Sequence, residues 1–182
     1  MKNYKLPHTI SNNHGEKFTF LRIRNENGKE FLDVENEVAP GKGPVMHLHH
    51  KQDEELTVVE GKIGYQAMGG EEKFAGPGES ILFKAGTMHR FWNAGESILK
   101  CKGWLTPPNN IIYYLENIYR LMDENNGQPG GFEGTNLITK YKTEFDVAVI
   151  PEFIKKVIFP VIVFFGKLSG QHKKFEEAPE AV

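Results

Sequence analysis

Residues 41–61, GKGPVMHLHHKQDEELTVVEG, decide how the rest of the chain is read. Within them, residues 47–55 (HLHHKQDEE) hold three of the seven histidines and three carboxylates. Side chains of an extended strand alternate between faces. His47 and His49 therefore share a face, and His50 takes the other. Two imidazoles at i, i+2 can grip one metal ion. A carboxylate a few residues on can complete that side, because the chain turns and returns as EELTVVEG. A third imidazole arrives in a separate segment, GESILFKAGTMHRFWN (residues 78–93), where His89, Phe91 and Asn93 share one face. Three neutral imidazoles and one carboxylate form a mixed N/O donor set. That set suits Fe, Mn, Ni, Cu or Zn, and suits Mg or Ca poorly.

Residues 16–106 read as short strands between turns. KFTFLRIR alternates, and Asn27-Gly28 is a hairpin signal. Further turns fall at Glu60-Gly61, Gly69-Gly70, AGPGE, KAGT and NAGE. Regular turn spacing without helical periodicity predicts a mainly β sandwich or barrel. The pattern changes at TPPNN (residues 106–110). Ile111, Leu115, Ile118, Leu121 and Met122 then recur at helical spacing, with Asn109 or Asn110 as the N-cap. GQPGGFEG reads as a loop, and residues 137–168 as a second, less regular helical region.

The two histidine segments together resemble the two motifs of the cupin superfamily. The first motif runs Gly, five residues, His-x-His, three or four residues, Glu, six residues, Gly; Gly41, His47, His49, Glu54 and Gly61 fall in place. A three-residue spacer would choose Asp53 but would put the closing glycine at Glu60. The four-residue spacer chooses Glu54 and brings Gly61 into register, leaving Asp53 and Glu55 facing away. In the second motif Gly78, Gly86, His89 and Asn93 match, and Lys84 stands where the pattern has proline. The resemblance implies a jelly-roll β-barrel over residues 1–106 with a helical extension over 107–170, packed on the barrel or on a partner. Residues 171–182 read as a flexible, solvated tail. It also implies one divalent transition metal ion held by His47, His49, Glu54 and His89, and a homodimer built by pairing barrels.

Such a metal keeps one or two positions open, so the resemblance implies an enzyme acting on a small organic molecule. Dioxygenase-like oxidoreductase chemistry is the favoured form. The alternatives are a metal-dependent isomerase or decarboxylase and a non-catalytic binding or sensor barrel. Glu54 is the candidate acid/base, and Phe91, Tyr65 and Phe83 are candidate substrate-pocket residues. Asn93 reads as a structural hydrogen-bonding residue, and His8, His14, His50 and His172 as bystanders.

The composition, 39% hydrophobic and 25% charged over 182 residues, is that of an ordinary globular chain. A formal net charge of -2 gives no electrostatic case for nucleic acid or for an anionic membrane. A single cysteine, Cys101, precludes an intramolecular disulfide, and the N-terminus has no apolar leader. The expectation is a cytoplasmic protein. The most apolar run, VIFPVIVFF (residues 157–165), is too short for the roughly 20 residues of a bilayer span. A helix or strand packed on the barrel is its first reading. A dimer interface is the second, and a lysine-flanked interfacial membrane contact the third.

Overall fold

The computed structural model describes residues 4–182. Strands are numbered along the chain. The first sheet has six strands in the order β1 (His8–Asn12), β2 (Glu16–Glu26), β3 (Lys29–Val38), β10 (Leu99–Thr106), β5 (Asp53–Glu60) and β8 (Ser80–Phe83). The second has five in the order β11 (Phe145–Val147), β4 (His47–His49), β9 (His89–Asn93), β6 (Ile63–Ala67) and β7 (Lys73–Ala75). All pairings are antiparallel. The fold is mainly β, a jelly-roll barrel with a C-terminal helical segment.

Alternation builds the barrel. On β3 the buried residues Leu32, Val34, Asn36 and Val38 point inward, and on β5 Glu54, Leu56 and Val58 do. Val38, Leu56, Val58, Leu99 and Cys101 of the first sheet meet Ile63, Ala75 and Phe91 of the second in one buried cluster. Each large aliphatic side chain taken fully out of water there contributes roughly 1.5–3 kcal/mol. Cys101 behaves as a small hydrophobe, and burial pushes its thiol up to about 12. The β2–β3 hairpin turns through Asn27 and Gly28, both at positive φ, with Asn25 Oδ1 accepting from Gly28 N at 3.0 Å. Gly61 closes the turn after β5 at φ 90°, where a Cβ would press on the Leu99 backbone at 3.1 Å.

A second core joins the barrel to the helices. Phe20, Leu32 and Leu105 of the first sheet pack with Ile111 and Leu121 of α1 (Ile111–Glu124) and Leu137 of α2 (Gly131–Lys140). Helix α1 follows its apolar period. Its cap differs from expectation: Asn110 sits at the cap position but makes no side-chain capping bond. Its backbone N–H and its side-chain amide instead donate to the buried Glu144 carboxylate at 3.1 and 2.7 Å.

The region beyond α1 differs from the sequence reading. Helix α2 begins at Gly131, inside the expected loop, and strand β11 interrupts the expected helical stretch. A π-type turn (Ile154–Ile158) then leads into α3 (Phe159–Leu168). The apolar run was expected first to pack on the barrel, but Gly166 is the only buried residue of α3. The last residues, expected to be solvated, fold back. Phe175 and Ala178 are buried in the second core, and Val182 N donates to Glu144 Oε1 at 2.9 Å.

Candidate metal centre

Three short strands from both sheets supply the candidate ligands. β4 carries His47 and His49 on one side, and His47 pairs in register with His89, the first residue of β9. Glu54 comes from β5 in the opposite sheet, where it lies between Phe83 and Leu105. One donor atom from each of His47, His49, Glu54 and His89 lies within 4.8 Å of all the others, so the four are placed to hold a metal ion. Glu54 and His89 are 4% and 1% exposed, His49 is buried and His47 half-buried, so the cluster opens on the His47 side.

The orientation of each ring follows from what its Nδ1 touches. His47 Nδ1 lies 2.8 Å from the Val45 carbonyl, and His89 Nδ1 lies 2.8 Å from the Thr87 carbonyl. His49 Nδ1 lies 2.9 Å from Gln52 Oε1. Gln52 is itself buried, and its amide nitrogen donates to the carbonyls of Pro107 and Pro108 at 2.9 and 2.6 Å. That fixes its oxygen toward the ring. A carbonyl only accepts, so all three Nδ1 atoms donate. In the neutral imidazoles the lone pairs are therefore all on Nε2.

His89 Nε2 and Glu54 Oε2 lie 3.2 Å apart, and His49 Nε2 and the same oxygen 3.7 Å apart. With Nδ1 committed, the neutral His49 ring presents a lone pair to the carboxylate, and His89 Nε2 reaches the same oxygen at hydrogen-bond distance. A cation among them satisfies every one of these atoms at once, so the residues fit a metal.

The electrostatics favour the metal-binding protonation states. Burial, with the neighbouring imidazoles of His49 and His89, pushes His47 down to about 3. Burial lowers His49 as well. Burial works to raise Glu54, but His89, His49 and His47 outweigh it and hold the carboxyl down at about 2. Near neutral pH the cluster thus presents a carboxylate beside neutral rings at His47 and His49.

The other residues singled out in the sequence divide cleanly. Asp53 faces away and accepts from Lys84 Nζ and Ala85 N, both at 3.0 Å, so the lysine at the proline position fixes this turn by an ion pair. Glu55 accepts from Trp104 Nε1 at 3.1 Å, and His50 is exposed. Asn93 donates to the Val38 and Ser97 carbonyls, both at 2.7 Å, and accepts from Gly95 N. Phe83 stacks on His89, with ring centres 3.9 Å apart and planes at 10°. Tyr65 is half-buried beside Phe83, and Phe91 is buried on the inner face of β9. A cavity of about 570 Å³ is lined partly by Val45, Met46, Phe91, Arg90 and Trp92. Arg90 and Trp92 alternate with His89, so it lies largely on the other face of β9.

Sequence reasoning missed Gln52 and Phe145. Gln52 lies inside the first motif, but its role needs the two prolines more than fifty residues on. Phe145 meets His49 edge-on at 5.5 Å, and β11 pairs Phe145 with His49 and Val147 with His47.

The family described as the cupin domain matches residues 34–104. No curated protein matches the sequence. One similar solved structure is an uncharacterized conserved protein with a double-stranded beta-helix domain from Klebsiella pneumoniae subsp. pneumoniae MGH 78578. It is 18% identical, with a TM-score of 0.48, covering 60% of this chain and 92% of that one. KdgF from Halomonas sp. is 19% identical, with a TM-score of 0.48, covering 58% and 90%. The capsular polysaccharide assembling protein CapF from Staphylococcus aureus is 21% identical, with a TM-score of 0.45. There the match covers 54% of this chain but 29% of CapF, so the chain spans under a third of that relative's length.

Proposed function

We propose that this chain, which belongs to the cupin superfamily, binds one divalent transition metal ion through His47, His49, Glu54 and His89 and acts with it on a small organic molecule. The observation that carries the reading is the commitment of all three Nδ1 atoms to acceptors, with the Nε2 atoms of His49 and His89 turned to the Glu54 carboxylate at 3.7 and 3.2 Å inside one four-residue cluster. When bound, such a metal supplies Lewis acidity and, if redox-active, dioxygenase-like chemistry.

The chain's own residues hold the ligands still and limit access. Val45, Gln52 and Thr87 fix the rings, and Phe83 covers one face of His89. Tyr65, Phe83 and Phe91 are the apolar residues on the inner face from which a substrate pocket would be built. Glu54 is read as a ligand first. A carboxyl held near 2 is a weak base, so an acid/base role requires it to leave the imidazoles.

Elemental analysis of protein purified without chelator tests the metal. The expected result is about one transition-metal ion per chain, lost in His49→Ala with the barrel still folded. Wild-type metal content in that variant overturns the ligand set. Oxygen uptake with iron-, manganese-, nickel- or copper-loaded protein across a substrate panel tests the dioxygenase form. Oxygen-independent turnover in the same panel selects the isomerase or decarboxylase form. Metal binding without turnover selects the sensor.

A further inference from the structure

The segment from the π-type turn through α3 is the most apolar part of the chain, yet it lies largely in water. Val157, Val161, Ile162, Phe164, Phe165 and Leu168 are all exposed, with Phe164 at 59%, Phe165 at 62% and Leu168 at 70%. Placing residues at about 100° steps, these side chains cover about half of the helix circumference. The opposite side docks on α2, where Gly166 lies so close to Phe132 that any Cβ would run into the ring. The exposed face is thus not a gap in the core. It is a convex apolar surface left over after the helix has made its internal contact.

The surface is rimmed by cations. Between Glu152 and Phe175 the chain has five lysines (Lys155, Lys156, Lys167, Lys173 and Lys174) and one acid, Glu152, although the whole chain carries a net charge of -2. Glu176 and Glu177 follow. Lys155 is tied to Asp146 at 2.6 Å, Lys156 to the exposed Glu152 at 3.1 Å, and Lys174 to Glu133 at 2.5 Å. Lys167 and Lys173 are exposed and have no ion-pair partner among the described residues.

From these observations we propose that α3 docks the protein on the surface of an anionic lipid bilayer. The apolar face enters the headgroup–acyl boundary, and the lysines stay at the level of the lipid phosphates. The turn and α3 together, about 15 residues, extend about 22 Å, less than the roughly 30 Å of a hydrocarbon core. No helix among the described residues is long and apolar enough to cross a membrane. The element therefore lies along the surface. A second copy fits the same face less well. In a two-fold dimer the patch meets itself, so the lysine rims face each other. Two convex helices in contact also leave much of a half-circumference arc wet. An anionic surface takes both the apolar arc and its rim without that repulsion.

Flotation with lipid vesicles tests this. The full chain is expected to float with phosphatidylcholine vesicles holding about 30 mol% phosphatidylserine. Binding should fall about tenfold on pure phosphatidylcholine and about tenfold in F164S/F165S/L168S on the mixed vesicles. K156Q/K167Q/K173Q should bind the mixed vesicles no better than wild type binds the neutral ones. All these side chains are exposed, so melting temperature and metal content should match wild type and report that each variant is folded. Wild-type protein that floats with neither vesicle overturns the proposal, as does equal flotation of the serine variant. Sedimentation equilibrium showing a wild-type dimer that F164S/F165S/L168S converts to monomer also overturns it, because a second copy then covers the face.

Discussion

Gln52 donates to the Pro107 and Pro108 carbonyls and so presents its oxygen to His49 Nδ1. Replacing it with leucine frees His49 to take the other tautomer and leaves two buried carbonyls without their donor. We expect Gln52→Leu to lower metal affinity about 10–100-fold, read by competition with a coloured chelator. Gln52→Glu keeps the acceptor toward His49 but loses the donor to the two proline carbonyls, so it should not restore wild-type affinity. Protons act on the same residues. His47 titrates near 6.5 in an unfolded chain but at about 3 in the fold, and Glu54 moves from 4.5 to about 2. Between those values the unfolded chain binds more protons, so folding weakens as pH falls from about 6.5 toward 3. Thermal melts of the metal-free protein should show this fall, with a shallower slope in His47→Gln. The four candidate ligands were legible in the sequence because i, i+2 alternation and motif spacing are local. Gln52 was not, because its partners lie beyond the last strand of the barrel.

At the scale of the element, β4 is the critical piece. It is three residues long, and its pairing with β9 comes down to the single register pair His47–His89. On its other side β11 supplies three register pairs. Phe145 of β11 is buried between His49 and Tyr114, stacked on the latter with ring centres 4.4 Å apart. Phe145→Ala should cost about 3–5 kcal/mol in denaturant unfolding, as large-to-small core changes do. It should also weaken metal binding, because β4 loses the packing that secures its edge. The barrel strands and α1 could be read from periods of two and 3.6. Helix α2 could not: it starts in a glycine-rich stretch and is fixed by Leu137 and the following Tyr141, both packed in the second core. A three-residue strand such as β11 has too few alternations to leave a signal, and only its pairing with β4 defines it.

The described residues build two cores, one inside the barrel and one between the first sheet and the C-terminal helices. The second is closed by residues from both ends of the sequence, including Ile10, Phe20, Tyr141 and Phe175. Tyr141 is fully buried, and its hydroxyl donates to the Pro179 carbonyl at 2.7 Å. A chain ended after Thr106 would expose the apolar side chains of β1, β2 and β3 that now face α1. It should show a lower melting temperature and hold no metal at stoichiometry, by calorimetry and elemental analysis. The reason lies in where β4 finds its support. The motif that marks the family is complete by Asn93 and its match ends at residue 104. The parts that hold its histidines in place, two proline carbonyls and a three-residue strand, lie further on. The stretch that identifies this chain is therefore shorter than the stretch that must be inherited intact. Insertions or losses between residues 107 and 147 would displace the supports of these histidines without altering any of them.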